Sequence, residues 1–130
     1  MSASHIAKWQ VVSGSVVVTS QKTYSAESNV TLEVAVPDST TDKEVVVAID
    51  VSQLVSIVMV SDQDLTIETN DGDTPDDTIA LAANVPYVWN ADQYGYADTK
   101  LTVDVTALYL TNASGAAATF RAEILQDPTP

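Results

Sequence analysis

SDQDLTIETNDGDTPDDTIALAANVPYVW, residues 61–89, is the stretch whose reading decides the fold. Leu65 and Ile67 alternate with Asp64, Thr66 and Glu68, the two-residue period of a strand with one buried face. Asn70, Asp71 and Gly72 break that strand, because an Asp-Gly pair readily adopts the positive φ of a tight turn, and Pro75 cannot extend a ladder. Thr78 to Leu81 predicts a short returning strand. Asn84-Val85-Pro86 ends it, and Tyr87 and Trp89 follow with large aromatic surface.

Working outward, the same period recurs. Ile6 to Val12 and Ser15 to Tyr24 flank the turn signal Ser13-Gly14. Val30, Leu32, Val34 and Val36 alternate with Thr31, Glu33 and Ala35 up to a stop at Pro37-Asp38-Ser39, and Val45, Val47, Ile49 and Val51 repeat the pattern. Leu54 to Val60 is apolar at nearly every position and β-branched, which predicts a strand covered on both sides, with a helical turn at 50–53 as the competing reading. Beyond Trp89, NADQYGYADTK reads as a loop. Leu101, Val103 and Val105 resume the alternation, but Leu108 and Leu110 fall on the other parity, so a bulge or break is expected near Thr106 or Ala107. Asn112 to Gly115 reads as a turn, with Ala118, Phe120, Ala122 and Ile124 returning as a hairpin against Leu108 and Leu110. Eight to ten short strands predict an all-β, single-domain β-sandwich or jelly roll over residues 1–130, with an N-terminal arm at about 1–9 and a short tail at about 126–130.

Composition bounds the function. The 130 residues are 45% hydrophobic and 18% charged, a balance for a folded globule, and they include no cysteine, which excludes disulfides, thiolate metal sites and a thiol nucleophile. Eighteen acidic residues against five basic ones give a formal charge of −13, a field that repels phosphate backbones and argues against nucleic acid as a partner. Lys8, Lys22, Lys43, Lys100 and Arg121 are scattered in sequence. MSASHIAKWQ lacks the apolar core of a secretory signal, and the runs VVVAIDV and LVSIVMV are too short and too interrupted for a bilayer helix, so no membrane is expected.

Candidate chemistry is sparse. His5, the single histidine, lies in a terminal stretch away from any nucleophile or ligand set and reads as a mobile surface residue. Asp71, Asp73, Asp76 and Asp77 could converge on a calcium ion, together with Asp62, Asp64 and Glu68, but with Gly72 at the sixth loop position an EF-hand would need ligands at Ile67 and Thr69. A solvated acidic hairpin tip is the preferred reading. No residue is assigned as catalytic and no cofactor is expected. Tyr87, Trp89, Tyr94 and Tyr96 either anchor a protein interface or stack on sugars, and Trp89 fills the core or the surface with equal weight.

The runs SDQDLTIETN and DTIALAANVPYVW, the later DVTALYLTNASGAAATFRAEIL and the closing DPTP together resemble small structural proteins of tailed-bacteriophage virions, of the head decoration or cement type. The resemblance implies a small β-sandwich on the outside of a capsid, made in the host cytoplasm, that binds the major capsid protein and itself as a homo-oligomer, with no enzymatic activity. A head-tail or tail component and a carbohydrate-binding β-sandwich module are the alternatives. The expected partner surface comprises Ile6 and Trp9 on the N-terminal arm, and Tyr87, Trp89, Tyr94 and Tyr96 along the segment from Asn84 to Tyr96.

Overall fold

A computed structural model describes residues 3–91 and 101–128, as ten antiparallel strands with no helix among them. β1 (Ala3–Ser13) and β2 (Val16–Ala26) form a hairpin whose two-residue loop holds Gly14 at a φ of 60°. Eight strands follow: β3 (Ser28–Val36), β4 (Thr40–Ile49), β5 (Leu54–Ser61), β6 (Leu65–Thr69), β7 (Thr78–Leu81), β8 (Tyr87–Asn90), β9 (Val105–Asn112) and β10 (Ala118–Gln126). They make two four-stranded sheets, ordered β3-β10-β5-β8 and β4-β9-β6-β7. The pairing is nested: β3 with β10, β4 with β9, β5 with β8 and β6 with β7. Four nested pairs rolled into two facing sheets are the topology of a jelly roll.

Period-two patterning builds the core. Val36, Ile57, Met59, Tyr87, Trp89, Phe120 and Ile124 point inward from the first sheet, and Val47, Ile49, Leu65, Ile67, Leu81, Leu108 and Leu110 from the second. β5 is covered on both faces, as its unbroken apolar run predicts, because the β1–β2 hairpin lies over the outer face of its sheet. The hairpin is therefore a third layer. Tyr24 and Ala26 seat on Leu125 with Ala3, Ala7 and Val55 around them.

Three sequence expectations change. β9 and β10 do not pair with each other; they lie in opposite sheets, and the Asn112 side chain closes the turn between them by donating to Val36 O and Ala116 O. β9 starts at Val105 instead of Leu101, because the Thr102 N–H and hydroxyl donate to the Asp77 carboxylate and leave the ladder. The phase change falls between Ala107 and Leu108, both buried, beside a register shift between Val46 and Ile49 on β4. Finally, the positive φ of the acidic turn belongs to Asn70, at 70°. Gly72 lies close under the Asp42 side chain: a Cβ there would come 2.6 Å from a carboxylate oxygen, and Asp42 would have to swing aside.

Candidate interaction surface

The hairpin register sorts its side chains onto two faces. Val11 opposes Val18 and Val12 opposes Val17, and directly opposed residues of an antiparallel pair share a face. One face carries Ala3, His5, Ala7, Trp9 and Val11 with Val16, Val18, Lys22, Tyr24 and Ala26; its basal half packs on the jelly roll and its distal half runs on past it. The other carries Ile6, Lys8, Val12 and Val17. Val12, Val18 and Ile6 are 62%, 63% and 60% exposed, and Trp9 is 40% exposed. A two-stranded hairpin has little stability of its own in water, and so much exposed apolar surface makes this one the candidate interaction surface.

From Ala3 onward, the arm expected over residues 1–9 is thus the first strand of this hairpin, and His5 is hydrogen-bonded on both ring nitrogens. Its ring is half-buried, with Nδ1 2.9 Å from Ser56 Oγ and Nε2 2.7 Å from Asn29 Oδ1. Asn29 Nδ2 donates to Glu123 Oε2 at 2.8 Å, which turns Asn29 Oδ1 toward the ring and assigns the proton to Nε2. Ser56 Oγ lies 2.8 Å from Asn90 Oδ1, and Asn90 Nδ2 is a buried side-chain atom without a partner among the described residues. Turning that amide over would let Nδ2 donate to Ser56 while Ser56 donates to His5 Nδ1, and would leave Oδ1 as the buried atom without a partner among the described residues. The network ties β1 to β3, β5, β8 and β10 across a groove lined by Ile6, Lys8, Val58, Val88 and Asn90. Its sequence signal was parity alone: His5 alternates with Ala3 and Ala7 and opposes Tyr24.

The acidic turn is organised by its own hydrogen bonds. Asp71 accepts from the backbone of Asp73 and Thr74, which holds its carboxyl below the usual range; Asp76 accepts from Asn70 and Asp77 from Thr102. Asp62 and Asp64 likewise accept the Thr119 and Ala83 N–H groups. Asn70 pins the turn to β9 through Thr106 N and Asp104 O. No group of three potential metal ligands converges among the described residues.

On the outer face of the second sheet, Glu68 opposes Tyr109 and Tyr109 opposes Glu44, whose carboxylate accepts the phenol at 2.6 Å and raises its pKa. Burial and then the neighbouring charge of Asp42, reinforced by Asp73 and Asp71, hold the Glu68 carboxyl above its usual value. Charge is strongly segregated along the chain. All 18 acidic residues lie beyond Ala26, and the hairpin carries Lys8, Lys22 and no acid.

Of the expected partner residues, Ile6 and Trp9 are exposed on the hairpin. Tyr87 and Trp89 are each 8% exposed and face the core from β8, opposite Met59 and Ile57, which corrects their reading as surface anchors. Tyr94 and Tyr96 lie outside the described residues. The valines near the hairpin loop, Val11, Val12, Val16, Val17 and Val18, are the part of the exposed surface that sequence reading left unassigned as contact residues. No protein-family model, curated protein or solved structure matches the chain.

Proposed function

We propose that this protein is a non-enzymatic structural component of a tailed-phage virion, seated on the capsid exterior by contact with the major capsid protein. The observation that carries the reading is the hairpin, which projects Ile6, Val12 and Val17 from a jelly-roll body whose remaining surface is strongly acidic. Such a face gains affinity by burying apolar side chains. The resemblance of the segments after Ser61 to decoration proteins supports the same reading.

Fold alone does not choose among functions, since jelly rolls serve both viral capsids and lectins. A carbohydrate platform built on Tyr87 and Trp89 is disfavoured by their burial. A head-tail or tail role would use the same hairpin on a different partner. Incubating the purified protein with emptied, undecorated head shells and sedimenting them tests the choice. Uptake at a fixed ratio to the major capsid protein is expected, and Val12→Asp with Val17→Asp should abolish it while the circular dichroism spectrum stays unchanged. Absence of the native chain from the shell pellet at every concentration would refute the head assignment.

A further inference from the structure

We propose that the groove between β1 and the outer face of β5 and β8 binds a small carboxylate with an apolar body. The groove encloses about 280 Å³, near the lower end of ligand sites and roughly twice a cavity that holds benzene. Its first support is a missing acceptor. Asn90 lines the groove and is 1% exposed, and its Nδ2 has no hydrogen-bond partner. Shut off from bulk water, that amide can be served only by an atom held in the groove.

The hydrogen-bond chain behind Asn90 distinguishes an acceptor from a donor. With the amide as it stands, Oδ1 accepts from the Ser56 hydroxyl, so Ser56 Oγ is left to accept from His5 Nδ1, while Nε2–H donates to Asn29 Oδ1. Both ring nitrogens then donate, and the ring is an imidazolium. Asn29 Nδ2 in turn donates to the Glu123 carboxylate at 2.8 Å. Only Asn90 Nδ2 lacks a partner, and an acceptor there completes the chain. Turning the amide over gives a neutral ring and leaves Oδ1 over instead, which a carboxylate cannot serve. A carboxylate therefore selects the first arrangement and draws a proton onto His5.

Charge favours the anion over an ammonium group. Lys8 lines the β1 wall and forms no ion pair, whereas Glu123, the one carboxylate among the described lining residues, already accepts from Asn29 and from Thr31 at 2.8 Å each. On β2 the ring faces Tyr24, with Lys22 over that phenol at 5.5 Å. On β3 the carboxylate of the same face, Glu33, is paired with Arg121 of β10, and β5 and β8 carry no charged residue. With His5 protonated, Lys8, His5 and Glu123 leave one positive charge on the groove. Ile6, Val58 and Val88 supply its apolar walls, and these set the body of the ligand.

The site requires nothing from the capsid, and its test uses the purified chain alone. Isotope-labelled chain is titrated with isovalerate to about 20 mM, a range suited to so small a ligand, and followed by NMR. Saturable shifts are expected at the Asn90 side-chain amide and at the backbone of Ile6, Lys8 and Val58, with both His5 ring nitrogens moving to their protonated positions. Affinity should rise at least fivefold from about pH 8 to about pH 6, across which the acid stays ionised and an imidazole titrates. Calorimetry in two buffers of different ionisation enthalpy should show net proton uptake. Isovaleramide, which lacks the charge, should bind at least tenfold more weakly. N-acetyl-leucine separates two sources of the same group: binding tighter than isovalerate assigns the site to a peptide C-terminus, and weaker binding to a free acid. Asn90→Asp, which sets a like charge against the ligand, should abolish the saturable shifts. Val58→Phe, which fills the groove without touching the polar chain, should do the same with the melting temperature held, and Lys8→Gln should weaken binding at least threefold. No saturable shift at about pH 6, equal binding of the amide, or affinity indifferent to pH or to Val58→Phe would overturn the inference.

Discussion

Trp89 carries much of the core on a strand of four residues, and its indole packs inward opposite Ile57. Trp89→Ala should cost about 3–5 kcal/mol, as large-to-small aromatic substitutions in cores do, and denaturant unfolding followed by circular dichroism will read it. Ser56→Ala should cost about 1–3 kcal/mol, because it leaves both His5 and Asn90 without their shared partner. Glu68 gives a pH signature. Its folded pKa is raised, so its contribution is most favourable when it is protonated, below the ordinary glutamate range, and is lost as pH rises through the raised value. Glu68→Gln should therefore be more stable than the native chain at neutral pH, with the advantage vanishing in acid. Asp71 has the opposite sign: its lowered pKa stabilises above the ordinary aspartate value and is lost as pH falls through the lowered one, so Asp71→Asn should destabilise at neutral pH and converge with the native chain in acid. Residue types alone did not locate these roles. The placement of Trp89 depends on strand parity against Ile57, and the crowding at Glu68 comes from Asp42, twenty-six residues away in sequence and adjacent only after folding.

At the scale of elements, alternation sufficed where the ladder takes every backbone group. β3, β6 and β7 fall where the period put them, β4 runs Thr40–Ile49 where the alternation was read from Val45 to Val51, and the continuous apolar run of β5 correctly implied cover on both faces. Alternation misled where a side chain replaces a ladder partner, as Asp77 does for Thr102. The hairpin was legible as two strands and a turn, but its status as a separate layer was not, because exposed and buried valines look alike in sequence. Hydrogen exchange offers a direct check on it. Amides from Val11 to Val18 should exchange fastest among the strands in dilute protein, and His5→Ala should extend that loss of protection toward Ala3 and Ala26 while the core strands keep theirs.

The whole molecule is held by pairings between distant segments, since the first strand of the jelly roll lies against its last. Alternation cannot read this: it says which side chains share a face and nothing about which strand is the neighbour, so sequence-adjacent β9 and β10 look like a hairpin although the roll assigns them to different sheets. The nested order has a consequence in time. The hairpin is synthesised before the jelly roll, yet its seat, Leu125, and two of its anchoring partners, Glu123 and the β3–β10 pair that orients Asn29, arrive only with β10. Throughout translation the valine-rich strands have no surface beneath them, and every ribosome carries them uncovered until β10 emerges. Slowing elongation over the segment encoding β6 to β10 should therefore raise the insoluble fraction of newly made chain, and aspartates at Val12 and Val17 should lower it.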